Sequence, residues 1–310
     1  MISPLTEPQK GKPMLDPALQ EIDRKWKASG LPGLYENATG PQSRERARIA
    51  RRDFYPKPRI EVGSIEAATI PRPGGTIPVE IIRPKIGPAS GAVVYFHGGG
   101  WIVGDLDSHQ AHAARIANQA GAVVVNVGYR LAPEDPFPAA VDDAIAATRW
   151  AHAHIADLGG DPRKLAVGGD SAGGNLAAVV ALDCRDVGMT LAAQLLIYPA
   201  TDLSTLRDPE VIGKYLGDDF AEKARDPRAS PALAKSHAGL APAILGFGVY
   251  DFLYQDNVAY AALLRAAGVP LIVREFPTLN HGFFSYTAVS EVSREAADLL
   301  CADLRGLLHG

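Results

Sequence analysis

The serine at position 171 lies in a glycine-rich stretch, GGDSAGG (168–174), between the apolar run KLAVG and the helix-forming run NLAAVVAL. The spacing G-x-S-x-G is typical of a nucleophilic serine on a sharp strand-to-helix turn, where only small neighbours fit. The following helix would offer partial positive charge and free amide hydrogens to an anionic intermediate. The stretch therefore predicts nucleophilic catalysis at Ser171, and the alternative is a purely structural glycine-rich turn.

A serine hydroxyl needs a histidine as its base, and the histidine needs a carboxylate to orient it. When the serine lies on such a turn, the chain order is serine, acid and then histidine. Of the histidines that follow Ser171, His309 is the penultimate residue and His237 lies in an irregular segment. His281, shortly after the strand-like run LIVREF, is the predicted base.

The predicted acid is Asp251, which directly follows the apolar run AILGFGVY. Asp256, about one turn further on, is its main competitor, and Glu275 is a weaker one because it lies within a strand-like run. An aspartate after a strand can also be a helix cap, which is the structural alternative for Asp251.

Three consecutive glycines occur in HGGGW (97–101), directly after the buried-strand pattern GAVVYF. Such a loop can hold an oxyanion with backbone N–H groups because no side chain intrudes. We assign the predicted oxyanion hole to the N–H groups of Gly98, Gly99 and Ala172, and we expect His97 to anchor the loop. A phosphate-binding loop is excluded because neither glycine run matches G-x-G-x-x-G or is followed by G-K-[ST].

A sheet is needed to position these residues, and the hydrophobic pattern of the sequence predicts one. Two strand-like runs, RIEVGSI (59–65) and TIPVEIIRP (76–84), resemble a hairpin, and strands then alternate with helices to the end of the chain. Continuous apolar strands of this kind indicate an α/β protein with a parallel sheet covered by helices. Residues 17–52 read as amphipathic helices outside the core, and the long segment between Pro199 and Pro242 reads as an inserted helical lid.

Composition limits the functional classes. The chain has 310 residues, 47% of them hydrophobic and 21% charged, which suits one large core with an accessory part. A net charge of −4 and a pI of about 6.1 argue against nucleic-acid or membrane partners. Cys184 and Cys301 match no metal or disulfide pattern and are predicted to be free and buried. With no apolar signal or membrane segment in the sequence, we expect a cytoplasmic protein.

Several separated motifs together resemble one family. HGGGW, YRLAPEDPFPAAVDD, GGDSAGGN, DFLYQDN and HGF, in this order, are similar to the hormone-sensitive-lipase-like esterases of the α/β-hydrolase superfamily, in the bacterial family IV branch with GDSAG. The resemblance covers the chain from about residue 90 to the end. It implies an α/β-hydrolase fold, with a mostly parallel eight-stranded sheet and a helical cap, and a catalytic triad of Ser171, Asp251 and His281.

The resemblance also implies a domain division. The cap would consist of an N-terminal segment (1–52) and an insert (200–235), and the catalytic core of residues 53–199 and 236–310. The acid motif departs from the family, which usually has Asp-Pro-Leu-Arg-Asp-Glu where this chain has DFLYQD (251–256). Asp251 remains the predicted acid, but a supporting role for the second acid is in doubt.

Residues around the predicted triad have supporting interpretations. Asp170 is expected to tune the local network, and Tyr129, Arg130 and Glu134 to form a charge network that supports the oxyanion loop, with direct substrate contact as the alternative. Two histidine pairs, His109/His112 and His152/His154, lack a third ligand. We therefore predict no metal site and interpret these histidines as surface or capping residues.

A possible substrate pocket is formed by Trp101, Tyr215, Leu216 and Phe220, although cap-core packing explains the last three equally well.

The functional hypothesis is a cofactor-free serine carboxylesterase, acting as a monomer or homodimer on small, short-acyl esters through an acyl-enzyme on Ser171. An amidase, a carbamate hydrolase or an arylformamide hydrolase would use the same triad and stays open. A non-catalytic small-molecule receptor is a third possibility, but receptors that resemble this family lose the histidine that this chain keeps as His281.

Overall fold

The computed structural model describes residues 13–87, 89–206 and 208–310. Eight strands form one sheet in the order β1-β2-β4-β3-β5-β6-β7-β8. Their bounds are β1 Ser64–Arg72, β2 Gly75–Arg83, β3 Ala92–Phe96, β4 Val123–Val127, β5 Leu165–Asp170, β6 Ala193–Ile197, β7 Ala243–Tyr250 and β8 Leu271–Asn280. Only the pairs β1/β2 and β2/β4 are antiparallel, so the predicted mostly parallel eight-stranded sheet is confirmed.

Helices flank the sheet as the pattern predicted. Their bounds are α1 Pro17–Ser29, α2 Gly40–Asp53, α3 Leu106–Ala120, α4 Ala139–His154, α5 Ala172–Asp186, α6 Pro209–Leu216, α7 Phe220–Lys223, α8 Tyr254–Ala266 and α9 Glu291–His309. Helix α3 packs against α9, and α4 packs against α5. Every residue of β3, β4, β5 and β6 is buried, which explains why these strands read as continuous apolar runs.

The first strand begins later in the chain than the sequence pattern suggested. The run 59–65 was expected to be a strand, but β1 starts at Ser64 and pairs with β2 up to Arg83. The Gly63 N–H still donates to the Arg83 carbonyl oxygen at 3.0 Å, but Pro84, which follows Arg83, has no amide hydrogen with which to extend the ladder further. The expected hairpin itself is confirmed, with Arg72 paired to Gly75 across the turn.

Helices α1 and α2 and the segment that carries α6 and α7 lie outside the sheet and contact each other. The backbone N–H of Asn37 donates to the Glu210 carboxylate at 3.1 Å, and the Lys214 ammonium donates to the Tyr35 carbonyl oxygen at 3.1 Å. Both interactions join the N-terminal segment to the insert. These contacts support the expected cap, whose first twelve residues lie outside the described ranges.

Two further sequence predictions concern the cysteines and a membrane. Cys184 and Cys301 are both free and buried, as predicted, and burial raises the pKa of each thiol to about 12. In the part of the chain that the structure describes, no helix combines the length and apolar character needed to cross a membrane.

Candidate active site

Ser171 stands between the end of β5 and the start of α5 with φ 54° and ψ −115°. This left-handed backbone is uncommon for a residue with a Cβ and marks a strained, sharp turn. The turn packs closely against β3, because a Cβ on Gly173 would lie 1.9 Å from the Phe96 carbonyl oxygen. The small residues of the motif are therefore required by close backbone approach, as the sequence pattern indicated.

Two other chain segments bring a histidine and a carboxylate to this serine. His281 follows β8, and its Nε2 lies 2.8 Å from the Ser171 Oγ. Its Nδ1 lies 2.9 Å from each carboxylate oxygen of Asp251, which follows β7. The Asp251 carboxylate also accepts the Leu253 N–H at 2.7 Å. The three predicted side chains therefore form one hydrogen-bonded series at the carboxyl ends of β5, β7 and β8.

The competing candidates lie elsewhere. Asp256 accepts hydrogen bonds from the backbone N–H and hydroxyl of Thr201, at 2.7 and 2.8 Å, and burial raises its pKa to about 6. Glu275 accepts a bond from a tyrosine hydroxyl at 3.1 Å. The His237 ring nitrogen bonds a backbone carbonyl at 2.9 Å, and that of His309 bonds the Ala120 carbonyl. Asp256 thus supports the backbone after β6 and does not contact His281.

The triple-glycine loop lies beside the serine turn, but one assignment in it changes. The N–H of Gly98 donates to Asp170 Oδ1 at 3.0 Å, so its hydrogen is already used and is not free for an oxyanion. The amides of Gly99, Gly100 and Ala172 make no hydrogen bond to the described residues, and all three residues line the cavity at Ser171. Gly99 has φ +124°, a conformation that side-chain-bearing residues rarely adopt.

Asp170 is buried and ties this loop to the sheet. Besides the Gly98 N–H, its Oδ1 accepts the Tyr95 hydroxyl at 2.6 Å. Burial alone would raise the pKa of Asp170, but His109, His112 and the tyrosine bond hold it below its ordinary value. The bonds to Gly98 and Tyr95 support the expectation that Asp170 organises its surroundings, and its effect on catalysis stays a prediction.

His109 and His112 are both buried beside Asp170, so their interpretation as surface histidines was wrong. Both lie on the buried side of helix α3, which begins after its N-cap residue Asp105. His152 and His154 are exposed on α4, as expected. The separations are 3.6 Å from His109 Nε2 to Asp170 Oδ2 and 4.0 Å from His112 Nδ1 to Asp170 Oδ1.

Among the described residues, His109, His112 and Asp170 form the group that could offer ligands to a metal, with donor atoms within 4.8 Å of one another. Ligands about 2 Å from a tetrahedral zinc lie roughly 3.4 Å from one another, so the 4.0 Å separation and the 4.8 Å spread of the donor atoms are wide for a shared zinc ion. Burial lowers the pKa of His112 to about 3, so its ring is neutral. The Asp170 carboxylate is instead bonded by the Tyr95 hydroxyl and the Gly98 N–H, which gives it a role in supporting the glycine loop.

The YRLAPE segment holds the same loop from the other side. The Tyr129 hydroxyl donates to the His97 carbonyl at 2.6 Å, and the two rings stack with centroids 4.2 Å apart. His97 Nδ1 bonds the Gly98 carbonyl, and burial lowers the pKa of His97 to about 3. The expected anchoring interactions of His97 are therefore present, and its ring is neutral.

Arg130 and Glu134 make structural ion pairs. The Arg130 guanidinium donates to both oxygens of Asp143 at 2.9 and 2.8 Å. Glu134 pairs with Arg44 of α2, which also donates to the Ile102 carbonyl at 3.1 Å. These pairs connect the loop to α2 and α4, and neither Arg130 nor Glu134 lines the cavity at Ser171.

A cavity of about 620 Å³ lies over Ser171, between the loop and helices α2 and α6. Trp101 lines it as expected, but Tyr215, Leu216 and Phe220 do not. Tyr215 stacks behind the Trp101 ring at 4.1 Å and Leu216 is fully buried, whereas Phe220 is 45% exposed at the start of α7. Apolar side chains of the insert that line the cavity include Leu206, Val211 and Ile212.

Sequence reasoning missed several residues of this site, and three of them show why. Gly100 completes the glycine run. Its amide is free whereas that of Gly98 is bonded to Asp170, a difference that the sequence does not show. Tyr95 was part of an apolar run, although a tyrosine near the end of a fully buried strand needs a partner for its hydroxyl. Arg51 was counted with the charged face of a surface helix, yet it lines the cavity.

The chain is similar to known esterases along nearly its whole length. A family model described as the alpha/beta hydrolase fold matches residues 93–285. Carboxylic ester hydrolase LipN of Mycobacterium tuberculosis is 40% identical over 95% of this chain and 83% of its own. An ethyl acetate hydrolase of Pseudomonas putida is 38% identical over 72% of this chain and 76% of its own. A solved esterase of Pyrobaculum calidifontis has a TM-score of 0.85 at 35% identity, covering 94% of this chain and 98% of that one.

Proposed function

Because this chain belongs to the α/β-hydrolase superfamily, among the hormone-sensitive-lipase-like carboxylic ester hydrolases, we propose that it cleaves small esters through an acyl-enzyme on Ser171. The observation that carries the proposal is the hydrogen-bonded series from Ser171 through His281 to Asp251. In this series each group has the partner that serine nucleophilic catalysis requires.

The proposed cycle follows from the hydrogen bonds. His281 Nε2, 2.8 Å from the Ser171 Oγ, takes the hydroxyl proton while that oxygen attacks the ester carbonyl. Asp251, bonded to Nδ1, orients the ring and stabilises its positive charge. His281 then gives the proton to the departing alcohol, and a water molecule repeats the sequence to release the acid and restore Ser171.

The oxyanion of both tetrahedral intermediates needs preorganised donors. We assign this role to the free amides of Gly99, Gly100 and Ala172, and we withdraw Gly98 because its hydrogen is bonded to Asp170. Gly98 and Asp170 would instead fix the loop that carries Gly99 and Gly100. Donors fixed in this way need no reorganisation when the negative charge develops.

Small, short-acyl esters are the proposed substrates. The cavity is confined by α2 and α6, and its cap-side lining by Leu206, Val211 and Ile212 suits a short apolar group. The similar protein of Pseudomonas putida is named for ethyl acetate, which is a short ester of this kind. The division into a core (53–199 and 236–310) and a cap (1–52 and 200–235) is part of the same proposal, since cap residues bound the substrate space.

The test is hydrolysis of p-nitrophenyl esters from acetyl to palmitoyl by the wild type and by Ser171→Ala. Ser285→Ala is a matched control because Ser285 lines the same cavity, but its hydroxyl forms no hydrogen bond to a histidine among the described residues. We expect turnover of the short chains by the wild type and by Ser285→Ala, and loss of turnover in Ser171→Ala. Turnover that survives in Ser171→Ala would contradict the acyl-enzyme, and faster cleavage of matched amides would favour the amidase alternative.

A further inference from the structure

Arg51 is a charged residue in the wall of the catalytic cavity. It lies in the last turn of α2, one turn after Ala47, and Tyr55, which lies just beyond the end of the helix, lines the same cavity. Within residues 13–87, 89–206 and 208–310 its guanidinium forms neither a hydrogen bond nor an ion pair. By contrast, the next residue, Arg52, is bonded to Asp53 at 2.6 and 2.8 Å.

Tyr35, Tyr55 and Tyr286 line the same cavity, and their hydroxyls form no hydrogen bond to the described residues. Burial raises the pKa of each, so all three hydroxyls keep their protons and can donate. The positive charge of Arg51 acts on all three. Arg51 and the tyrosines are therefore a group of neighbouring donors without acceptors.

These donors lie close to the reacting groups. A Cβ on Gly100, in the oxyanion loop, would be 3.0 Å from the Tyr35 hydroxyl. A Cβ on Gly282, next to His281, would be 3.4 Å from the Tyr286 hydroxyl. The rings of Tyr286 and Tyr55 meet edge to face at 5.1 Å. The donor group and Ser171 therefore open onto the same cavity.

The nearby carboxylates have other partners. Asp208 caps α6 by accepting the Val211 N–H at 3.1 Å, and Asp105 caps α3 by accepting the Ser108 N–H at 2.8 Å. Asp170 accepts bonds from the loop and the sheet. The last turn of a helix favours a cation such as Arg51, but this effect does not require the side chain to enter a cavity. The charge of Arg51 acts on Asp105 at a distance, but among the described residues the guanidinium has no direct partner, and the cavity that it lines has room for one.

We propose that the enzyme is selective for esters that carry a second, free carboxylate, and that Arg51, assisted by Tyr35, Tyr55 and Tyr286, binds this carboxylate. This inference rests on the ester hydrolysis proposed for Ser171. A guanidinium matches a carboxylate with two parallel hydrogen bonds, and such bonds are strong where water is excluded. The carboxylate belongs either to the acyl part, as in a half-ester of a short dicarboxylic acid, or to the alcohol part.

The experiment compares kcat/KM for charged esters and their uncharged isosteres, in which an isopropyl group replaces the carboxylate. Monoethyl glutarate and its isostere test the acyl side. The butyrate ester of β-hydroxypropionate and isoamyl butyrate test the alcohol side. Each pair is measured with the wild type, Arg51→Gln, Arg51→Lys and the control Arg52→Gln, which removes the same charge from an exposed position.

We expect the wild type to prefer the charged ester in one of the two pairs. In Arg51→Gln the charged-to-neutral ratio should fall at least about tenfold, mainly through KM, because a charge-assisted contact is lost. Arg51→Lys should restore part of the ratio, and Arg52→Gln should leave it unchanged. Because the ratio is taken within each variant, a partial loss of folded protein does not affect it.

Equal ratios in the wild type and Arg51→Gln for both pairs, or a wild-type preference for the neutral esters, would overturn the inference. Calorimetric binding of the same pairs to Ser171→Ala separates this outcome from failure of the proposed function. Tighter binding of the charged ester that depends on Arg51 supports the carboxylate site even without turnover. Equal binding of both esters, together with turnover of neutral esters by the wild type, contradicts the site alone.

Discussion

Asp170→Asn tests whether the buried carboxylate beside the nucleophile positions the oxyanion loop. Its Oδ1 accepts the Gly98 N–H at 3.0 Å and the Tyr95 hydroxyl at 2.6 Å. Asparagine keeps an acceptor oxygen but loses the charge, which weakens each hydrogen bond by about 1 kcal/mol. Two bonds give about 2 kcal/mol, so we expect kcat/KM to fall about thirtyfold when this energy is expressed in the transition state.

The assay is steady-state hydrolysis of a short p-nitrophenyl ester, combined with unfolding in urea. Because the loop holds the oxyanion only after attack, the loss should appear in kcat while KM changes little. Asp303→Asn is the control, since Asp303 is also largely buried and paired, with Arg274 at 2.7 Å, but is not part of the cavity. An unchanged kcat in a destabilised Asp170→Asn protein would refute the positioning role.

Three further outcomes are expected. Gly99→Ala should lower kcat/KM on short esters by about a hundredfold or fail to fold, because its Cβ would lie 2.2 Å from a backbone carbonyl oxygen at φ +124°; near-normal kinetics would remove this amide from the oxyanion hole. Burial raises the pKa of Asp256 from 3.8 to about 6, so the folded state favours the protonated acid and its contribution to stability is lost as pH rises through about 6. Between about pH 4 and pH 8 the free energy of unfolding in urea should therefore fall by up to about 3 kcal/mol more in the wild type than in Asp256→Asn. An equal dependence on pH in the two proteins would contradict this. Ile212→Ala should shift the preferred acyl chain of p-nitrophenyl esters to longer lengths, whereas Phe220→Ala, which alters an exposed side chain outside the cavity, should not; parallel shifts in both would place the acyl pocket elsewhere.

The sheet and the three residues at its carboxyl edge were predictable because their signals are local. Ser171 needs a strained turn with small neighbours, and His281 and Asp251 each follow an apolar strand. The choice between Asp251 and Asp256 was not local, because it depends on how the end of β7 places each carboxylate relative to His281. Only the three-dimensional contacts distinguish them.

Long-range partners explain the predictions that were wrong. The N–H of Gly98 donates to Asp170, which is far from it in sequence, so the glycine run alone could not show that this hydrogen is already bonded. His109 and His112 were interpreted as surface residues because their charged neighbour, Asp170, is also distant in sequence. The packing of Tyr215 against Trp101, and with it the pocket lining, depends on how α6 lies over the sheet.

The most direct test of the central claim is to identify the residue that becomes covalently modified. The wild type is treated with a p-nitrophenyl alkylphosphonate, which mimics the tetrahedral intermediate, and its intact mass and peptides are measured by mass spectrometry. The proposed mechanism predicts one phosphonyl group per chain, on Ser171, with loss of activity in step and no labelling of Ser171→Ala. Labelling at another residue, or inactivation without modification of Ser171, would contradict it.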